Sequence, residues 1–122
     1  MIQLRSVLKP ADNCGAKRLR VIHIYGGSKR RFGYLGGTVA AVVDQADSQG
    51  IVKDSEKVRA LIVRTKKETG RKDGSFVRFD DNAAVVIDKD GNPRGTRIFG
   101  PIAREIKDAG YLKIASLASE IV

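Results

Sequence analysis

The chain has 122 residues, a mass of 13.3 kDa and a formal charge of +9 from 23 basic and 14 acidic side chains. Its 42% hydrophobic content is too high for a disordered tail. No apolar run approaches the roughly 18 residues of a membrane span, the start Met1-Ile2-Gln3-Leu4-Arg5-Ser6 lacks a signal peptide's apolar stretch, and a lone Cys14 leaves no internal disulfide or cysteine-based zinc site. These bounds predict one folded domain over 1–122 in a reducing, cytoplasmic setting, with its surplus charge facing a polyanion, of which nucleic acid is the commonest.

Glycines punctuate short apolar runs, which predicts a β-barrel or sandwich. Residues 2–8 read as a first strand. Over 17–25, Leu19, Val21, His23 and Tyr25 alternate with Arg18, Arg20, Ile22 and Ile24, which makes His23 a packed ring. The turn Gly26-Gly27-Ser28 leads into Lys29-Arg30-Arg31. Phe32 and Tyr34 follow, and these rings can stack on unpaired bases or pack in the core. Residues 38–43 are apolar on both faces, as in a buried barrel strand. Residues 57–64 alternate Val58, Ala60 and Ile62 with Arg59, Leu61 and Val63. They run into a basic tract, 64–79, which Asp73-Gly74 folds into a protruding hairpin. Residues 83–87 form another buried strand, closed by the turn Asp90-Gly91-Asn92-Pro93. Pro101 is placed to start a helix over 102–109, Gly110 to cap it, and a second short helix falls in 113–119. The predicted fold is mainly β, with barrel and hairpin over about 1–100 and a short helical appendage over about 101–122.

The charge is segregated. Residues 13–43 hold Lys17, Arg18, Arg20, Lys29, Arg30 and Arg31 and no acid, and 64–79 carries a net +4 from Arg64, Lys66, Lys67, Arg71, Lys72 and Arg78 against Glu68 and Asp73. The rest of the chain sums to −1, whereas an ordinary solvated surface mixes both signs. Such gathering points to a face that sits on phosphates, with Arg as a planar fork and Lys as a mobile point charge. At 6% aromatics and no Trp, recognition by shape and backbone fits better than base reading along a single strand.

Enzymatic chemistry finds little support. Asp80, Asp81, Asp88 and Asp90 are the only carboxylate cluster to weigh for metal-dependent phosphodiester cleavage, with Asp80, Asp81 and Asp88 as the candidate set, but Asp80 and Asp81 are adjacent in an extended stretch and point to opposite faces. Cys14 reads as a small turn residue. No catalytic residue, metal or cofactor is predicted. Arg97 and Phe99 in Thr96-Arg97-Ile98-Phe99-Gly100-Pro101 suit a protein contact, although Phe99 can equally anchor the appendage.

Several long motifs resemble one family in order and spacing: Ala11-Asp12-Asn13-Cys14-Gly15-Ala16-Lys17, Gly26-Gly27-Ser28, Ala60-Leu61-Ile62-Val63-Arg64-Thr65-Lys66-Lys67, Asp73-Gly74-Ser75, Arg78-Phe79-Asp80-Asp81-Asn82-Ala83-Ala84-Val85-Val86 and Gly95-Thr96-Arg97-Ile98-Phe99-Gly100-Pro101. The chain is similar throughout to the universal large-subunit ribosomal protein number fourteen of bacterial type. Cys14 stands where Ser or Thr is usual, Asp54-Ser55-Glu56 where a Gly-Asp turn is usual, and Ser119 where Pro is usual; Leu35 falls in a variable region. The resemblance implies a five-stranded barrel with short C-terminal helices, seated on large-subunit rRNA at the subunit interface. It implies ribosomal proteins three and nineteen as neighbours, and bridges to small-subunit rRNA. It also implies docking of a ribosome-silencing factor on a surface that includes Thr96, Arg97 and Lys113. Apart from the resemblance, a ribosome-free barrel-type RNA-binding factor or RNA chaperone is the alternative.

Overall fold

Over residues 2–26 and 30–122, which a computed structural model describes, the chain runs through β1 (Val7–Pro10), β2 (Ala16–Ile24), β3 (Thr38–Ala46), β4 (Lys57–Arg64), β5 (Thr69–Gly70), β6 (Phe76–Val77), β7 (Ala83–Ile87), β8 (Pro101–Ile102), α1 (Arg104–Asp108), α2 (Leu112–Leu117) and β9 (Glu120–Ile121). Strands β1-β2-β3-β4-β7 close into a barrel, as the expected five-stranded fold requires. Neighbours are antiparallel except for the closing pair, β1 on β7, which is parallel. Closure leaves the barrel without an unpaired edge.

Period-two alternation explains the interior. Leu8, Leu19, Val21, Val39, Ala41, Val43, Val58, Ala60 and Ile62 are all buried. The second half of β4 and all of β7 are buried on both faces. The C-terminal segment adds Ile102, Ile106 and Ile114 to the same core, and the Ala103 N–H donates to the Val63 carbonyl (3.2 Å).

Three expectations change. The first strand begins at Val7, and Ile2 makes only an isolated bridge to Gly33. A bulge between Val21 and His23 shifts the β2 register, so Ile24 turns inward while Ile22 and His23 are exposed. His23 is therefore no packed ring; it meets Tyr25 edge-on, with centroids 5.1 Å apart. Pro101 opens no helix. It lies in β8, paired in parallel with β9, and α1 starts only at Arg104. Proline suits this place because a strand's first residue can spare its N–H. Gly110 then ends α1 at φ +97°.

The basic tract is a hairpin, as expected. Strands β5 and β6 form their own two-stranded sheet, and Asp73 organises the turn by accepting from the Ser75 N–H (3.0 Å) and Oγ–H (2.6 Å). Gly74 has φ +89°, which the turn requires. The arm does not stand free. Arg71 donates through Nε to Glu105 Oε1 (2.8 Å) and through Nη2 to the Val122 oxygen (2.6 Å), which ties it to α1 and to the segment after β9.

Candidate nucleic-acid interface

Five barrel strands carry seven cations, Lys9, Lys17, Arg18, Arg20, Lys57, Arg59 and Arg64, against one acid, Asp44. Strand register gathers most of them. Arg20 faces Val42, which faces Lys57, and Ala40 lies between His23 and Arg59. Arg18 and Arg20 on β2 thus share an outer wall with Lys57 and Arg59 on β4, across the small side chains of β3. Asp44 approaches Arg18 (3.4 Å) and Arg20 (3.7 Å), but these half-exposed pairs are weak and leave the wall positive. Arg59 lies over the Tyr25 ring at 4.8 Å.

Pairing also brings the two basic segments to one end of the barrel. The end of β2 lies beside the start of β3, and Thr38 pairs with Leu61 near the end of β4. Residues 30–37 and the arm leave from that end. Gly36 donates to the Ile62 carbonyl (3.0 Å), Ile62 donates to the Gly37 carbonyl (3.0 Å), and a groove runs between Gly33 and Tyr34 on one side and Lys67, Thr69 and Gly70 on the other. Arg30 lies over the exposed Tyr34 ring at 5.7 Å. Phe32 is half-buried. A second hollow, between Glu68, Phe76 and Arg78, shares Glu68 with this groove, and a third, lined by Lys9, Arg78, Asp80 and Phe99, shares Arg78 with the second.

Of the predicted phosphate contacts, Lys17, Arg18, Arg20, Arg30, Arg31, Lys66, Lys67, Lys72 and Arg78 are exposed. Lys29 lies outside the described residues. Arg71 is half-buried and already paired with Glu105, so its place is at the base of the arm. Lys57 and Arg59 were not among the predicted contacts. The β4 alternation turns Arg59 away from Ala60, but only the pairing through β3 sets it beside β2. Lys67 pairs with Glu68 (3.1 Å). Glu68's own backbone N–H, then Lys67, and more weakly Arg78, hold its carboxyl below the usual carboxylate range.

Arg64 differs from its neighbours. Its side chain is buried, donates to the carbonyls of Phe99 (3.0 Å) and Pro101 (3.2 Å), and pairs with Asp81 (3.0 Å). Asp81 also lies 3.9 Å from Lys9. Asp88, at the other end of β7, accepts from the Asp90 and Asn92 N–H groups (2.9 Å each). With five strand residues between them, at about 3.3 Å each, Asp81 and Asp88 do not converge on a shared ion. Cys14 is buried beside Asp12; burial and then the Asp12 carboxylate push its thiol up to about 12, which leaves almost no nucleophilic thiolate near neutrality. Burial likewise raises the Asp12 carboxyl, against bonds from Cys14 and the Val86 N–H.

A second surface is built by one side chain 83 residues distant in sequence. Asn13 Nδ2 donates to Thr96 Oγ1 (2.8 Å), and Asn13 Oδ1 accepts from the N–H groups of Thr96 (2.8 Å) and Arg97 (3.1 Å). The Arg97 guanidinium lies over Phe99 at 5.4 Å, and Phe99 is exposed rather than an anchor in the core. Lys113 is exposed on α2. Asn13→Ala should accelerate amide exchange at Thr96 and Arg97 about tenfold, for a local loss of about 1.4 kcal/mol. Asn13→Asp keeps both acceptor roles and should keep the protection. Exchange followed residue by residue checks this, and unchanged rates in Asn13→Ala would refute the clamp.

The whole chain, residues 1–122, matches the family model of ribosomal protein L14p/L23e. The chain belongs to that family. It is therefore a ribosomal protein with a structural role in the large subunit, from a family that is structural rather than enzymatic. Its association is with the ribosome, and among the described residues no helix is long and apolar enough to cross a membrane.

Proposed function

We propose that the cationic wall and arm dock this protein on large-subunit rRNA. Arg18, Arg20, Lys29, Arg30, Arg31, Lys66, Lys67, Lys72 and Arg78 neutralise phosphates, with Lys17 extending the band and Lys57 and Arg59 completing the wall. Arg71 holds the arm at its angle. The observation that carries this reading is the meeting of the two basic segments at one barrel end, next to strands with six exposed cations and one acid. Thr96, Arg97, Phe99 and Lys113 make the protein-facing surface. There the family resemblance supports contacts with ribosomal proteins three and nineteen, with a ribosome-silencing factor and, across the subunit interface, with small-subunit rRNA.

The test is a salt titration of the protein with large-subunit rRNA. If about six phosphate contacts form, affinity should fall with a log–log slope of roughly −4 to −5. A flat dependence would overturn the reading. Sedimentation of a tagged copy separates it from the alternative, because a ribosome-free RNA-binding factor or chaperone stays at the top of the gradient while a subunit component moves with the large subunit.

A further inference from the structure

Among the described residues the most exposed large apolar side chain is Phe76, at 72%, and it lies on the basic arm. Its position follows from the pairing. In β6, Val77 turns inward and is buried, so Phe76 and Arg78 point the other way. Opposite Phe76 is Gly70, and a Cβ built on Gly70 would lie 3.3 Å from a ring carbon. The ring therefore rests against bare backbone and is braced in place. Its outer side opens on a hollow shared with Glu68 and Arg78.

An exposed phenyl ring on water is a standing cost to the free protein, and its surroundings select what can cover it. Lys66, Lys67, Lys72 and Arg78 are exposed on the same arm, which favours a polyanion over an apolar peptide. The Glu68 carboxylate in the hollow disfavours a phosphate there, while it can accept from the amino or imino N–H of a base. We propose that Phe76 is a stacking platform for one unpaired rRNA base, with Arg78 on the flanking phosphate. This rests on the rRNA docking reading above and adds to it a contact that is not ionic.

The ionic and stacking terms separate by salt. Phe76→Ala should weaken binding to large-subunit rRNA about tenfold, with the salt slope unchanged because no phosphate contact is lost. Phe76→Tyr should bind as the native chain does, and Phe76→Leu should bind as poorly as Phe76→Ala. The chain has no tryptophan, so Phe76→Trp introduces a single, selectively excitable indole, and rRNA should quench it. Native affinity in Phe76→Ala would overturn the proposal. So would full binding by Phe76→Leu, which marks a merely apolar contact such as a protein pocket, or a slope that changes with Phe76. Loss of salt-dependent binding in the native chain is a different result, and it removes the docking reading itself.

Discussion

Arg64→Met is expected to lower the stability of the fold by about 3 kcal/mol, or about 12 °C in the midpoint of thermal unfolding. The side chain lies at the end of β4, where an exposed cation would be ordinary, yet it is almost fully buried. It donates to the carbonyl of Phe99, just before β8, and to that of Pro101, the first residue of β8, and pairs with Asp81 before β7. Methionine fills the volume but leaves both carbonyls and the carboxylate without their donor, and that uncompensated burial is the main loss. Asp81 is about a third exposed and can recover water, which sets the figure near the low end for a broken pair. Arg64→Lys should not restore stability, because one ammonium cannot reproduce a planar fork across three acceptors. Gly100→Ala should act through the same joint. Gly100 has φ +78°, and a Cβ there would collide with the Arg64 guanidinium. Denaturant unfolding of the three variants measures the effect, and a native midpoint in Arg64→Met would show that the joint is dispensable.

Arg64 also marks where reading the chain by itself stops. Strands over 17–25, 57–64 and 83–87 are legible because alternation or a continuous apolar run is a local property. The arm is legible for the same reason, since Asp73-Gly74 lies between its two halves. The bulge after Val21 is not, because nothing within 17–25 distinguishes a register shift from even alternation; it is imposed by pairing with β3. Nor is the strand at Pro101, whose partner β9 is near the end of the chain. Charge follows a similar division. Which segments are basic can be counted, but Arg71 leaves the phosphate-facing set only because Glu105 meets it in space, and that Arg64 in the same tract is buried against Asp81 is equally a matter of long-range contact. Lys57 and Arg59 enter it because β3 lays them alongside β2. Asn13 needs the same long-range knowledge, since its three bonds all reach residues 96 and 97.

Neutralising the arm should affect binding without affecting folding. Lys66, Lys67, Lys72 and Arg78 are exposed, and their only ion pair is the exposed one between Lys67 and Glu68 among the described residues. Replacing all four by glutamine should therefore leave the unfolding midpoint within about 0.5 kcal/mol of native. If each contacts a phosphate, the salt slope with large-subunit rRNA should become shallower by about 3, and affinity near 0.15 M salt should fall by a few hundredfold, roughly 0.6 to 0.7 log units per contact. Arg71→Gln should differ in kind. It removes one charge that Glu105 already balances, so the slope should barely move. Affinity should still fall, because the arm loses its tie to α1 and to Val122 and must be reordered on binding. A fourfold variant that keeps the native slope would take the arm out of the interface and leave the phosphates to Arg18, Arg20, Lys57 and Arg59 on the barrel wall.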